Sequence, residues 1–367
     1  MTLRWTSSFD NFQDSDRPSI FTASNAYDGG GSYAFNFGTT YSRWPSGKGI
    51  RLQGNVGTGD GTGFGTSFDL LFDYQPQWYC GVAVRPVTYP QGNTGLTYQV
   101  CSLMDVASYV IECRLTAAGV LVVTLNGTAI ATGTVTLPTG VFSFVEFGVV
   151  LHPTAGSYTV RLNGANYLTA SGVNTTATGT GQANKFRLGM IQPGTSGSQT
   201  ASGEVWYDDL YIADGTGSGV NNFVGDCHPI ELLPSSNGTY SDWAQTGGTG
   251  GSPYTAVSDT PNNGDTSYLS SFTPNQRTTF HFPTLPVTTS SVRAVAIGLW
   301  LRKDDANSHT VAARSVESST ESTSAASVGA LAQYAFSEIV METDPLDGAS
   351  WTATKVNNSE FGVVLST

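Results

Sequence analysis

Apolar and polar positions along this chain fall into short runs with a period near two, and glycine or asparagine bounds most of them. Trp78–Val84, Leu96–Leu103, Tyr109–Leu115, Val120–Leu125, Phe142–Leu151 and Tyr158–Leu162 are rich in β-branched and aromatic residues, so each predicts a strand. Phe142–Leu151 sets Phe144 and Val150 against Val145, Phe147 and Val149, and apolar groups on both faces predict an interior strand. Two runs end in Asn-Gly, at Asn126-Gly127 and Asn163-Gly164. A type I′ hairpin turn needs positive φ at both central residues, and this dipeptide tolerates it best. Leu3 to Gly65 is less regular and predicts edge strands and long loops. Glu204–Ile212 closes the series before the chain dissolves into DGTGSG.

That break, followed by the apolar run HPIELLP with no room for a crossover helix, reads as last strand, linker, first strand. The predicted organisation is a β-sandwich over 1–214, a Gly-rich linker over 215–224 and a smaller β domain over 225–367. In the second half Arg277–Phe282 alternates with Phe280 and Phe282 on one face, and Val292–Leu301 is apolar on both faces, which predicts a strand enclosed by others. Ala325–Glu338 fits a helix, while Tyr334–Met341 fits a strand equally well. Many short strands joined by tight turns, with no convincing helix, define an all-β chain whose first domain is a two-sheet sandwich of jelly-roll type.

Composition narrows the function classes. Charged residues are 12% of 367, and 16 Lys and Arg stand against 28 Asp and Glu for a net charge of -12. Such a surface repels phosphate backbones and anionic membranes, so neither nucleic acid nor a membrane is an expected partner. No apolar segment has the length of a membrane span, and the N-terminus lacks a signal-peptide pattern, which predicts assembly in a cytoplasm. Cys80, Cys101, Cys113 and Cys227 lack metal-ligand spacing and read as small buried hydrophobes.

Candidate chemistry is sparse. Retaining glucan hydrolases place acids at alternate positions of one strand so that both point into one cleft. Here Glu204 and Asp208 share a face but lie four apart, and Asp208 and Asp209 oppose each other, so the chain is read as a non-enzyme. Asp208 and Asp209, with Asp60 and Asp214, are the candidate ligands for a Ca2+ ion, and no other cofactor is expected. Trp44, Tyr89 and Trp243 stand in or beside loops, where aromatic rings could stack on sugars. The four histidines are scattered and show no spacing for zinc or a nucleophile relay.

The run Phe144–Phe147, the turn Thr154-Ala155-Gly156, Tyr158–Gly164, Ser171–Thr175 and the closing strand Trp206-Tyr207-Asp208-Asp209-Leu210-Tyr211-Ile212 resemble the concanavalin-like or laminin-G-like modules of bacteriophage virion proteins. Phe223-Val224-Gly225-Asp226, Pro229–Pro234, Trp243 and Asp265–Leu269, with the tail features Asp344-Pro345, Trp351-Thr352 and Glu360-Phe361-Gly362, resemble a segment that follows such modules in phage proteins. The resemblance implies a structural protein of a tailed phage particle, on the tail or fibre, in symmetric copies and in contact with other virion proteins. A capsid decoration protein and an adhesin that grips host surface glycans are the alternatives.

Overall fold

The computed structural model describes all residues except 1, 2, 22, 28–31, 57–63, 93–95, 107, 177–180, 193–200, 218 and 287. The chain divides into two compact units that meet at Pro229/Ile230. Residues 215–229, expected as linker and start of the second domain, therefore stay with the first unit.

The first unit contains β1 (Leu3–Ser7), β2 (Ala23–Tyr27), β3 (Ser32–Gly38), β4 (Gly49–Val56), β5 (Phe64–Gln75), β6 (Gln77–Gly92), β7 (Thr97–Asp105) and β8 (Ser108–Leu115). It continues with β9 (Val120–Leu125), β10 (Thr128–Thr136), β11 (Ser143–Val150), β12 (Gly156–Leu162), β13 (Ala165–Val173), β14 (Ala183–Gln192) and β15 (Ala201–Asp214). One sheet has eight strands in the order β13-β12-β11-β6-β15-β4-β3, with β1 also on β15, and the other has seven in the order β10-β9-β8-β7-β14-β5-β2. Both sheets are antiparallel, and they form the predicted jelly-roll sandwich. Both Asn-Gly pairs take positive φ, 46° and 78° at Asn126-Gly127 and 49° and 82° at Asn163-Gly164, and they close the β9–β10 and β12–β13 hairpins.

Alternation packs the space between the sheets. Phe68, Tyr98, Ile111, Phe186 and Leu188 come from the seven-stranded sheet and Leu52, Val82, Val145 and Phe147 from the other, all buried. Cys80 of β6 and Cys101 of β7 are joined as a disulfide, so two of the cysteines expected as plain hydrophobes link the sheets instead. Cys113 stays a free buried thiol, its pKa pushed up to about 12 by burial and by the neighbouring Glu112 charge.

β11 is interior, between β6 and β12, and its outer face is covered by the chain leaving the sandwich. Phe223 lies where a Cβ on Gly148 would be 2.7 Å from its ring, and the Gly225 N–H donates to Glu146 Oε1 at 2.8 Å. That cover explains why both faces of the strand are apolar.

The second unit has a five-stranded sheet built from β16 (Ser236–Ser241), β19 (Arg277–His281), β21 (Thr310–Glu317), β22 (Thr320–Gly329) and β24 (Ser359–Leu365), with two two-stranded sheets, β17 (Ala244–Thr246) with β18 (Tyr268–Ser270) and β20 (Val295–Leu301) with β23 (Ala335–Met341). The helical alternative for Ala325–Glu338 does not form: that stretch is divided between β22 and β23. Among the described residues β20 pairs with β23 alone, and it is half-buried rather than enclosed. Its Val295, Ile297 and Leu299 pack on the core of Ala313, Ile339, Met341, Trp351 and Phe361, and that one face satisfies the apolar run.

Candidate functional site

Among the predicted site residues, the structure brings Trp44, Asp208 and Asp209 together. β15 carries a bulge between Asp208 and Tyr211, where Asp209 takes φ +50°, so both carboxylates turn toward the loop after β3. The Arg43 N–H donates to Asp208 Oδ2 at 2.6 Å, and the Ser42 hydroxyl donates at 3.2 Å. Asp209 accepts from Trp44 Nε1 at 2.7 Å and Arg43 Nη1 at 3.2 Å, and His228 Nδ1 lies 2.7 Å from its other oxygen. Arg43 also grips Asp226 with two bonds of 2.6 and 2.7 Å. Burial, and then the Asp209 charge, raise the Asp208 carboxyl to about 8 against the pull of its hydrogen bonds.

This cluster fastens residues 226–228 to the sandwich. The Trp44 indole packs against the His228 ring, tilted by 36° with centroids 4.4 Å apart, and the Arg43 guanidinium lies 5.1 Å from the Trp44 ring. Of the other proposed calcium ligands, Asp214 accepts from Arg4 and Thr216, and Asp60 lies outside the described residues. Among the described residues no group of three or more His, Cys, Asp or Glu side chains could hold a metal ion. Tyr89 donates to the Leu137 carbonyl and packs against Gly119, while Trp243 belongs to the second unit, where it donates to Gln276 O at 3.0 Å. Trp44 and Tyr89 thus have different partners within the first unit, and Trp243 has its own in the second.

A different set of residues converges on the outer face of the seven-stranded sheet. Pairing runs Ala23–Asp69–Arg187–Ser102–Glu112–Thr124 across β2, β5, β14, β7, β8 and β9, so one row crosses six strands. Glu112 has no exposed surface, and its Oε2 accepts from Gln99 Nε2 at 2.7 Å and from Ser102 Oγ at 2.8 Å. Its Oε1 accepts from Arg114 and from Thr124 Oγ1 at 3.3 Å. Arg187 holds Asp69 with two bonds of 2.5 and 2.7 Å and donates its remaining edge to the Tyr109 hydroxyl at 2.9 Å. Lys185 Nζ stands 3.4 Å from Asp69.

Simple alternation could not have found this set. Gln99 and Ser102 are three apart yet share a face, because Val100 is an extra residue in β7 against both neighbours. Val110 is likewise extra in β8, which lets Tyr109 reach Arg187 although Ile111, two residues on, faces the core. The only sequence signal was polar residues at alternate positions of strands otherwise bound for the core. The two carboxylates of the row are three strands apart, about 14 Å at the usual strand spacing, well beyond the separation of a glycosidase acid pair.

No protein-family model and no curated protein matches the chain. Solved structures with a similar fold include an endo-β-1,4-glucuronan lyase from the fungus Trichoderma reesei, with 14% identity over 53% of this chain and 91% of that one and a TM-score of 0.39. A GH131 β-glucanase catalytic domain from Podospora anserina has 13% identity over 59% of this chain and 98% of that one at a TM-score of 0.41. The galectin LEC-6 of Caenorhabditis elegans has 11% identity over 39% and 88% at 0.26. The expectation of a non-enzyme is corrected by this finding. It rested on one missing acid-pair motif, and folds of this kind occur in lyases and a glucanase that are enzymes by name.

Proposed function

We propose that the first unit engages a polysaccharide along the outer face of its seven-stranded sheet, and that the protein brings this activity to the surface of a tailed bacteriophage particle. The polar row is the observation that carries the first part. An outer sheet face needs no buried carboxylates, guanidinia, amide and phenol for stability, since replacing buried ion pairs by apolar groups is often neutral or stabilising. Their convergence on one face suits a ligand made of hydroxyls and ring oxygens. The phage setting rests on the strand and turn resemblance of residues 120–214 and of the segment after it. A place on the tail or fibre, in symmetric copies, is the preferred address, with capsid decoration as the second reading.

The test uses the full-length protein, titrated by calorimetry with purified bacterial surface polysaccharides. Released reducing ends and unsaturated sugar ends are followed in the same samples, so binding and cleavage are read together. Saturable binding that weakens in Tyr109→Phe and in Lys185→Ala is the expected result. If no polysaccharide binds, or if neither substitution changes binding, the reading falls.

A further inference from the structure

On the outer face of the eight-stranded sheet one row runs Arg85–Trp206–Arg51–Asn36 across β6, β15, β4 and β3. Val84 and Tyr207, next to Arg85 and Trp206 in their strands, are buried in the core, which puts Arg85 and Trp206 on the other face. The Arg85 guanidinium lies over the Trp206 ring, 4.2 Å from its centroid, and 5.9 Å from that of Phe142. Trp206 is itself held in place. Its Nε1–H donates to Glu204 Oε1 at 2.7 Å, Glu204 pairs with Arg51 at 3.0 Å, and the Tyr41 ring meets the indole edge-on at 5.2 Å. The guanidinium therefore rests on a fixed shelf.

Its donors set Arg85 apart. On the same face Arg43 pairs with Asp209 and Asp226, Arg51 with Glu204 and Arg161 with Glu146. Arg85 has no ion pair and donates no hydrogen bond among the described residues. Its Nε is buried without a partner, while Nη1 and Nη2, equally without one, keep contact with solvent. Acids are not scarce in a chain with 28 Asp and Glu against 16 Lys and Arg. The place is also open. Phe144 is 1% exposed beside Arg43 and Tyr211, whereas Phe142 and Arg85 are half-buried and Val141 is 55% exposed, so the cover of this face ends before the Arg85 row.

A guanidinium stacked on an aromatic ring keeps its N–H groups in the plane, where a carboxylate meets two of them with parallel hydrogen bonds. One guanidinium suits a single negative charge, and a phosphate dianion would find Arg43 and Arg51 already spent on acids. The half-buried Phe142 ring beside it offers an apolar surface for the C–H face of a pyranose. We infer that Arg85 is a subsite for the carboxylate of a uronic acid unit in an acidic polysaccharide, on the sheet opposite the Glu112 row. This site stands independently of the reading of that row.

The test is calorimetry of the full-length protein with oligomers of galacturonate, glucuronate and mannuronate, with the methyl ester of each, and with inorganic phosphate. A uronide is expected to bind and its methyl ester is not. Arg85→Met should lose about tenfold or more in affinity, the size of a charge-assisted pair. Met keeps a chain of similar length on the indole, so the melting temperature of this variant should match that of the parent. Arg85→Lys keeps the charge without the planar fork and should recover only part of the loss. Failure of every uronide to bind overturns the inference, and so does binding unchanged in both variants, which leaves Arg85 as a cover for Trp206. An ester bound as tightly as its acid removes the role of the carboxylate, and phosphate bound as tightly as a uronide removes that of the sugar; either overturns the subsite. Uronide binding lost in Tyr109→Phe and kept in Arg85→Met overturns it as well and assigns the ligand to the Glu112 row.

Discussion

Asp208 shows how one residue can be visible in the sequence while its role is not. The Asp-Asp pair stands out in an apolar strand, but nothing local says that Asp209 adopts φ +50° and that both carboxylates meet Arg43, Trp44 and His228. The consequence is a pH dependence. The folded Asp208 carboxyl keeps its proton up to about 8, whereas an unfolded one releases it near 3.8, so the native state binds more protons between those values. Its contribution to stability is complete below about 3.8 and is lost as pH rises through 8. Melting temperature should therefore fall from pH 5 to 9, to roughly the extent of this one group, and Asp208→Asn should flatten the profile. An unchanged slope in that variant would assign the effect elsewhere.

β7, β8 and β9 of the seven-stranded sheet were legible from their β-branched and aromatic runs, and the bulges of β7 and β8 were not. An extra residue depends on the pairing partner, so Val100 and Val110 look like ordinary strand residues until β7 and β8 are set side by side. The bulges decide which polar side chains share the outer face, and the candidate site follows from them. At this scale the Asp69–Arg187 pair gives a clear expectation. Arg187→Met leaves a buried carboxylate with only Lys185 nearby and costs about 3–5 kcal/mol, while Asp69→Asn added to it recovers most of the loss. Urea midpoints of the two variants measure both values. The hairpin turns, by contrast, were fully visible. Gly127→Ala and Gly164→Ala, at φ 78° and 82°, should each cost about 1 kcal/mol in the same experiment.

At the scale of the whole molecule, two units with separate cores should unfold in two steps, and calorimetry of the full chain should resolve them. A polysaccharide bound on the seven-stranded sheet raises only the transition of the first unit, and a shift of both together would place the ligand elsewhere. The proposed phage setting is checked by labelling intact particles with an antibody to residues 2–229. A few symmetric copies at the tail are expected, and many copies over the head would favour capsid decoration.

The sequence by itself determined the all-β class, the positions of β7, β8, β9, β11, β12 and β15 and both Asn-Gly turns, because periodicity and turn chemistry act between near neighbours along the chain. It also marked Trp44, Asp208 and Asp209 as unusual. Only the tertiary structure decided that Phe223 and Gly225 fold back over β11, that Cys80 meets Cys101 and that Trp44 lies against His228. It alone assembled Asp69, Gln99, Tyr109, Glu112 and Arg187 on one face, since these come from β5, β7, β8 and β14, and their meeting depends on strand order and on bulges that exist only in pairs of strands.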